Sequence, residues 1–462
     1  MKISFARILA ALCSLLFTIA GVSETTVGYT DGKPITAQKQ KYCFDNSGIL
    51  IGGYYGLAGQ GAYAKEAGLD FVIATGVTEA MLDEYEENGV GVVAAGYNLP
   101  RYYGDVSAQA AQPWLSFNGE GYKDHPALWG DDLIDEPSAN SYETLAACAK
   151  AHRAVKPDKL CLINLFPNYA NSEQLGEEPT LKKTQKIPLL FTDVIEPNNE
   201  IYRKYVSDYV NKIDTDYICA DIYPYHSSLD SEGNEVKNTS DCYIRNLDIL
   251  AEACRATNRD LWIITQAAGE TKKGDENNRN RYCDEVSDIS QQAYACLSFG
   301  AKAIIHGLFS NIGWWDVDSH MLGQDGRPTE TYDAARKVNC DLKFFSKVYG
   351  AYTYSGTYML NPGRVAGRGR GPLATANPGE KAPLSSCNGL LVGVFKGERN
   401  ANAYVITNME ELNNQTTAAA TFLVPQGRIA HVFQAGTMQV YTGKRYVELT
   451  LAPGEGVFIT LQ

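Results

Sequence analysis

The chain has 462 residues, enough for two or three domains or for one large barrel with an appendage. Hydrophobic residues make up 44% and charged residues 21%, a globular rather than a disordered composition. Lys and Arg total 41 against 54 Asp and Glu, a formal charge of −13, which argues against the basic face that a nucleic-acid or anionic-membrane binder needs. The 29 tyrosines on an acidic chain suit neutral ligands better than anionic ones.

In chain order, the first element is an export signal over residues 1–23. Lys2 and Arg7 form a basic start, Ile8 to Ala20 is apolar apart from Ser14 and Thr18, and Gly21 and Ser23 offer small residues for cleavage before Glu24. The apolar run is too short for a membrane span, and nothing later approaches about 20 uninterrupted apolar residues. The sequence therefore predicts a secreted or extracytoplasmic protein without a membrane span. Of the 11 cysteines, Cys13 lies in the signal. The remaining ten, an even number in an exported chain, permit disulfides, although Cys161, Cys219 and Cys296 sit in apolar runs. Asn238-Thr-Ser and Asn414-Gln-Thr are glycosylation sequons.

From residue 24 to 350 short apolar runs alternate with helical patterns. The runs begin at Ile49, Phe71, Val90, Leu128, Leu160, Tyr217, Leu261 and Ala303. Between them, stretches such as Ser141 to Val155, Ile201 to Asn211, Tyr243 to Thr257 and Ser287 to Phe299 carry helical periodicity, and a last helix spans about Thr331 to Tyr349. Apolar strands alternating with amphipathic helices make parallel βα units, and eight of them predict an α/β (β/α)8 TIM barrel. Residues 351–383 read as a linker with the first β elements, and Gly363 to Lys381 is a Gly-, Pro- and Arg-rich loop. Residues 384–462 carry short strands near Leu390, Ala403, Ala420, His431, Tyr446 and Gly456, which predicts a small all-β sandwich at the C-terminus.

Barrel chemistry sits at the C-terminal strand ends. The fourth run ends in Asp135-Glu136-Pro137, and the fifth near Asn164 and Asn168. The sixth ends in Asp221-Ile-Tyr223-Pro-Tyr225-His226. The seventh ends at Gln266, with Glu270 four residues on, and the eighth is followed by Trp314, Trp315 and Asp316. Acids and aromatics thus gather at one rim. Paired carboxyls there permit acid/base work on an acetal, and aromatic faces can stack on sugar rings. Glu136 and Asp221 are the candidate catalytic pair. Asp135, Asn164, Tyr223, Tyr225, His226, Gln266, Glu270, Trp314 and Trp315 are candidate carbohydrate contacts. His306 reads as a core residue, and Trp129 as core or site alike.

The segment His125-Pro-Ala-Leu-Trp-Gly-Asp-Asp-Leu-Ile-Asp-Glu-Pro-Ser resembles the strand-four region of clan A glycoside hydrolases and related barrel hydrolases. Leu162-Ile-Asn-Leu-Phe-Pro-Asn and Asp221-Ile-Tyr-Pro-Tyr resemble the next two strands of that group, so the resemblance spans about residues 48 to 345. It implies a barrel acting on glycosidic bonds, with Glu136 as general acid/base and Tyr223 contacting the second carboxylate. The resemblance breaks at strand seven, where the group's nucleophilic Glu is matched by Gln266, an amide that cannot serve as a carboxylate nucleophile. Asp221 or Glu270 could take its place, or the site could bind a glycan without cleaving it.

This chemistry needs neither a metal nor an organic cofactor. Gly59-Gln-Gly61 after the first strand imitates a dinucleotide fingerprint only faintly, since the second strand ends in Thr75-Gly76 without the acid that a ribose requires. P-loop, HExxH and GxSxG motifs are absent from the sequence.

Overall fold

The computed structural model describes residues 39–95, 122–177, 199–229, 232–233, 235–271, 279–280, 283–311, 320–369 and 371–462. The export-signal reading falls on residues 1–38, outside the described residues. Trp314 and Trp315 also lie outside them.

Eight parallel strands close into a barrel. They are β1 (Leu50–Gly56), β2 (Phe71–Ala74), β3 (Gly91–Ala95), β4 (Leu128–Asp135), β5 (Leu160–Leu165), β6 (Tyr217–Ile222), β9 (Asp260–Gln266) and β12 (Ala301–Gly307). The helices packed outside are α1 (Gly61–Glu66), α2 (Glu79–Glu87), α3 (Tyr142–Val155), α4 (Asn199–Lys212), α5 (Tyr243–Thr257), α6 (Val286–Ser298) and α7 (Glu330–Gly350). Each strand is buried almost throughout, as a sheet covered on both faces requires. Local sequence fixes the helix starts: the Thr329 hydroxyl caps α7 by accepting from the Tyr332 amide, and Glu285 with Asp288 forms a reciprocal capping box on α6.

The barrel interior is filled by Leu50, Phe71, Leu160, Leu162, Tyr217, Trp262, Ile264 and Ile305, among others. Trp129 belongs to this filling, stacked on Phe44 with ring centroids 4.4 Å apart, so it is a core residue. His306 is also buried, bonded through Nε2 to the Asn339 side chain at 2.9 Å.

A small four-stranded sheet is built from the segments that follow β6 and β9. It joins β7 (Tyr225–Leu229), β8 (Glu235–Thr239), β10 (Glu270–Thr271) and β11 (Arg279–Asn280) in the order β10-β11-β7-β8. These short pairings at the rim are not evident in the sequence.

The C-terminal region is antiparallel. A six-stranded sheet contains β13 (Thr353–Leu360), β15 (Leu390–Lys396), β16 (Asn402–Asn408), β18 (Ile429–Gln434), β19 (Thr437–Thr442) and β21 (Gly456–Leu461). A three-stranded sheet contains β14 (Leu384–Ser386), β17 (Ala418–Leu423) and β20 (Tyr446–Leu451). Their inner faces share a core that includes Val392, Ile406, Phe422, Leu449 and Ile459. The sandwich presses its larger sheet on α6, and two glycines permit the approach: a Cβ on Gly456 would lie 2.1 Å from the Tyr294 ring, and one on Gly393 2.3 Å from the Ser298 carbonyl oxygen. The stretch expected to be a loop runs along α5. Ile244 N donates to Gly367 O at 3.0 Å, Arg245 donates to Pro372 O at 2.7 Å, and buried Asp248 accepts from the backbone of Ala374 and Thr375.

The expected disulfides are not formed: the ten cysteines from Cys43 to Cys387 are free thiols. Cys148, Cys161, Cys219, Cys254 and Cys296 are buried on separate elements (α3, β5, β6, α5 and α6), where they pack as small apolar side chains.

Candidate active site

Residues alternate sides along a strand, so the barrel interior is read off the register. Asn164 of β5 pairs with Cys219 of β6, which pairs with Trp262 of β9, and Asp221 pairs with Ile264. Asn164 and Asp221 therefore face inward, above the apolar layers. On β4 the parity changes. A bulge between Asp132 and Ile134 inserts one residue, so that Asp132 pairs with Leu162 and Asp135 with Asn164. Two acids three residues apart, which a regular strand would point to opposite sides, both enter the barrel.

The centre of the site is the Asn164 side chain. Its Nδ2 donates to Asp135 Oδ1 at 2.8 Å and to Asp221 Oδ1 at 3.1 Å. Its Oδ1 accepts from the Cys219 thiol at 3.8 Å. Two bonds meeting at one nitrogen hold those carboxylate oxygens within about 6 Å of each other. Asn164 and Asp221 are buried and Asp135 is half-buried.

Glu136 follows immediately, half-buried, with φ of 50° in the left-handed region. Such a conformation costs a non-glycine residue about 1–2 kcal/mol. It is held by the Glu136 amide donating to Asn164 O at 2.9 Å, and by the Tyr205 hydroxyl of α4 donating to Pro137 O at 2.8 Å. Tyr55, at the matching end of β1, is also left-handed at φ 66°, beside a register shift between Tyr54 and Gly56. The strand ends that frame the site are thus irregular on both β1 and β4.

Asp132 is the acid that sequence reasoning missed. It is buried, and its Oδ2 accepts from the Tyr54 hydroxyl at 3.3 Å. Burial first, and the charge of Asp135 second, push its carboxyl up to about 8. Asp-Asp in an apolar strand was the available signal, but the bulge that turns one of the pair inward is invisible in the sequence.

Tyr223 is half-buried at the mouth, its hydroxyl 2.8 Å from where a Cβ on Gly307 would sit, so it reaches across to the end of β12. Its amide donates to the Tyr169 hydroxyl at 3.3 Å. His226 is exposed on β7, paired in register with Asn280 and Asn238. Glu270 starts β10, opposite Asn280.

Two expected sugar contacts are corrected. Gln266 is fully buried, and its side chain is consumed by backbone: Oε1 accepts from Tyr225 N at 2.9 Å, while Nε2 donates to Ala268 O at 3.3 Å and Tyr225 O at 3.5 Å. The Gln292 amide group clamps the Gln266 backbone in turn, accepting from its N at 2.8 Å and donating to its O at 2.9 Å. Tyr225 is buried as well, its hydroxyl turned to Gln291 Oε1 at 3.0 Å. Both residues build the rim from behind. Asn168 is likewise buried and donates to Cys242 O at 3.3 Å.

One group among the described residues has metal-ligand composition: Asp83, Glu86 and His125 on the outer surface. His125 Nδ1 accepts from Ala127 N at 3.2 Å, so the ring proton sits on Nε2, which faces Asp83 at 3.2 Å and Glu86 at 3.7 Å. That arrangement is a donor meeting two acceptors, not a lone pair offered to a cation.

No family model and no curated protein matches the chain. Solved structures do. One named "Glycoside hydrolase" is 10% identical, with 94% of this chain and 97% of that chain covered at a TM-score of 0.51. A β-galactosidase from Bacillus circulans sp. alkalophilus is 9% identical over 90% of this chain and 99% of that one, at a TM-score of 0.47. A putative α-L-fucosidase from Bacteroides thetaiotaomicron is 11% identical over 65% and 95%, at 0.42. At such identities the likeness is one of fold, and the first carries it: a barrel followed by a β domain, shared nearly end to end. What this chain shares with the structure named "Glycoside hydrolase" is the fold, here a closed eight-stranded barrel. Among the described residues no helix is long and apolar enough to cross a membrane.

Proposed function

We propose that this chain is an exported glycoside hydrolase that cleaves O-glycosidic bonds of an oligosaccharide or polysaccharide by carboxyl chemistry. The observation that carries the reading is the single amide nitrogen of Asn164 shared by Asp135 and Asp221 at the C-terminal mouth of the barrel. Hydrolysing an acetal takes one carboxylic acid to protonate the leaving oxygen and one carboxylate to stabilise or attack the sugar cation. Glu136, at the strand tip, donates the proton. Asp221 is the second carboxylate, and Asp135 with Asn164 sets its position. The name of the neighbour matched over 94% of this chain supports the class. The sugar enters between Tyr223 and the rim sheet, where an aromatic face and exposed His226 are available.

The test is turnover of 4-nitrophenyl glycosides and a polysaccharide panel by the wild type and by E136Q, D135N and D221N. Loss of turnover in E136Q and D221N, with folding intact by circular dichroism, is the expected result. Full activity in E136Q with loss in D135N would transfer the donor role to Asp135. Export is tested by N-terminal sequencing of protein recovered from the medium or periplasm, with a start near Glu24 expected.

Gln266 favours a second reading, a barrel that binds glycans without cleaving them. It leaves the end of β9 without a carboxylate at the position where the resembling hydrolases carry their nucleophile. Glycan binding with no product released from any bound glycan would select it.

A further inference from the structure

The sheet at the rim is fastened to the C-terminal sandwich. Its strand order is β10-β11-β7-β8, so β8 is an outer edge. An edge strand presents backbone groups that a further strand would otherwise bond. At Lys237 one side chain takes that place. The Lys237 amide donates to Asn413 Oδ1 at 3.1 Å, and Asn413 Nδ2 donates to the Lys237 carbonyl oxygen. A residue in an antiparallel strand sends its N–H and its C=O to the same side. The Asn413 side chain therefore stands where the peptide of a neighbouring strand would stand. It belongs to the short turn Leu412–Asn414 between β16 and β17 of the sandwich. Two residues further along β8, the Thr239 hydroxyl donates to Glu411 Oε2 at 3.2 Å.

The same stretch of the sandwich reaches β7 through helix α6. Gln291 is fully buried; its Nε2 donates to Asn408 O at 3.3 Å and Glu410 O at 3.0 Å, and its Oε1 accepts from the Tyr225 hydroxyl at 3.0 Å. Helix α6 also grips β8, since Lys237 Nζ donates to both oxygens of buried Asp288 at 2.8 and 2.7 Å. Residues 408–413 thus hold β7 and β8 at once. Asn413 itself is exposed and stands outside the apolar core of the sandwich, so its two bonds stabilise the rim sheet and not the domain that carries it.

We propose that Asn413 is a positioning residue: from the sandwich it fixes the rim sheet as a wall of the sugar entrance, and so sets a preference for glycans of more than one unit. This inference rests on the reading that the sugar enters between Tyr223 and that sheet. The strand β7 begins at Tyr225, four residues beyond Asp221, so the sheet stands outward from the carboxyls. The sheet acts on the units that follow the first sugar, while the Asn164 bridge acts on the first. The sandwich then has a part in substrate selection besides covering α6.

The experiment compares the full chain with N413A and N413D in two arms. The first is backbone hydrogen exchange read by mass spectrometry. Loss of both bonds in N413A should speed exchange about tenfold in peptides that cover β7 and β8, with the barrel strands and α6 unchanged. N413D keeps the acceptor for the Lys237 amide and loses the donor to its carbonyl, so its exchange should fall between N413A and wild type. The second arm takes the sugar whose 4-nitrophenyl glycoside the wild type hydrolyses and a series of its oligosaccharides. In N413A, KM should rise about tenfold on the longer members, while kcat on all of them and KM on the aryl monoglycoside stay within about twofold. If the wild type binds the glycans without cleaving them, Kd takes the place of KM. Exchange at β7 and β8 equal to wild type, exchange raised throughout the chain, or a KM or Kd change that is the same at every glycan length would each overturn the proposal. The exchange arm needs no substrate, so a wild type that neither cleaves nor binds any glycan counts against the proposed function, while the exchange result still decides whether Asn413 fixes the rim sheet.

Discussion

Replacing Gln266 by Glu puts a carboxyl where the resembling hydrolases carry a nucleophile, and the structure predicts a destabilised protein rather than an improved enzyme. The side chain is fully buried, with Nε2 donating to two carbonyl oxygens and Oε1 accepting from one amide. A glutamic acid can keep the accepting bond and offer its one hydrogen to one carbonyl, so the neutral form loses about 1 kcal/mol. Ionisation would turn a carboxylate oxygen against two carbonyls. Buried Glu residues titrate near about 8–9, against about 4.3 in the unfolded chain. A raised folded pKa means that the unfolded state releases its proton first, so the penalty begins above pH 4.3 and grows until the folded group also ionises. With about 1.4 kcal/mol per pH unit, ionisation adds roughly 1 kcal/mol at pH 5 and roughly 4–5 kcal/mol at pH 8. Urea unfolding of Q266E and wild type at both pH values measures this directly. Equal destabilisation at pH 5 and pH 8, or a Q266E protein with increased glycoside turnover, would refute the assignment of Gln266 as a buried support.

Three further outcomes are expected. Asn164→Ala removes the common donor of Asp135 and Asp221 and should lower kcat about 100-fold with a smaller change in KM, measured on whichever aryl glycoside the wild type turns over. Asp131→Asn leaves the Lys156 ammonium, 5% exposed, buried beside a neutral amide, and should cost about 3–5 kcal/mol in urea unfolding, with part of the loss recovered in D131N/K156M. His306 is fully buried, and desolvation lowers its pKa to about 4. Its lowered folded pKa supplies stability that is complete above about pH 6.5 and is lost as pH falls towards 4, about 2–3 kcal/mol by pH 4.5. His306→Gln, which can still donate to Asn339, should therefore show a flatter loss of stability between pH 7.5 and 4.5.

The barrel was legible because its strands are buried on both faces. Ile-Ile and Val-Val runs between amphipathic stretches leave few alternatives, and the eight observed strands coincide with the eight apolar runs to within a few residues. The same logic fails where strands are short or wet. The strand β19, Thr-Met-Gln-Val-Tyr-Thr, is exposed almost throughout and exists by pairing with β18, and the two-residue strands β10 and β11 exist only by pairing at the rim. Of the candidate site, the order of residues was legible and their orientation was not. Tyr225 and Gln266 stand at strand ends, yet their polar atoms turn inward to backbone and to Gln291. One local hint was present: Gln266 is followed by Ala267-Ala268, and Gln291-Gln292 lie in the helix behind it, an apolar setting in which amides pair with one another.

The decisive irregularity is a single extra residue in β4. Without the bulge, Asp131 and Asp135 would share a face, Asp132 would share the other with Ile134, and the carboxylates of β4 and β6 could not meet across Asn164. With it, Asp131 turns outward to His152 and Lys156 while Asp132 and Asp135 both turn inward. The outward acid is fully paired and strengthens the wall. Among the described residues the inward pair takes hydrogen bonds from Tyr54, on Asp132, and from Asn164, on Asp135. A strand stabilised only for folding would have no reason to hold two acids in that setting, since two apolar residues of like size would fill the same space without the desolvation cost. That arrangement, together with the Asp-Glu-Pro sequence at the tip, is what supports the proposed proton chemistry at the mouth of this barrel.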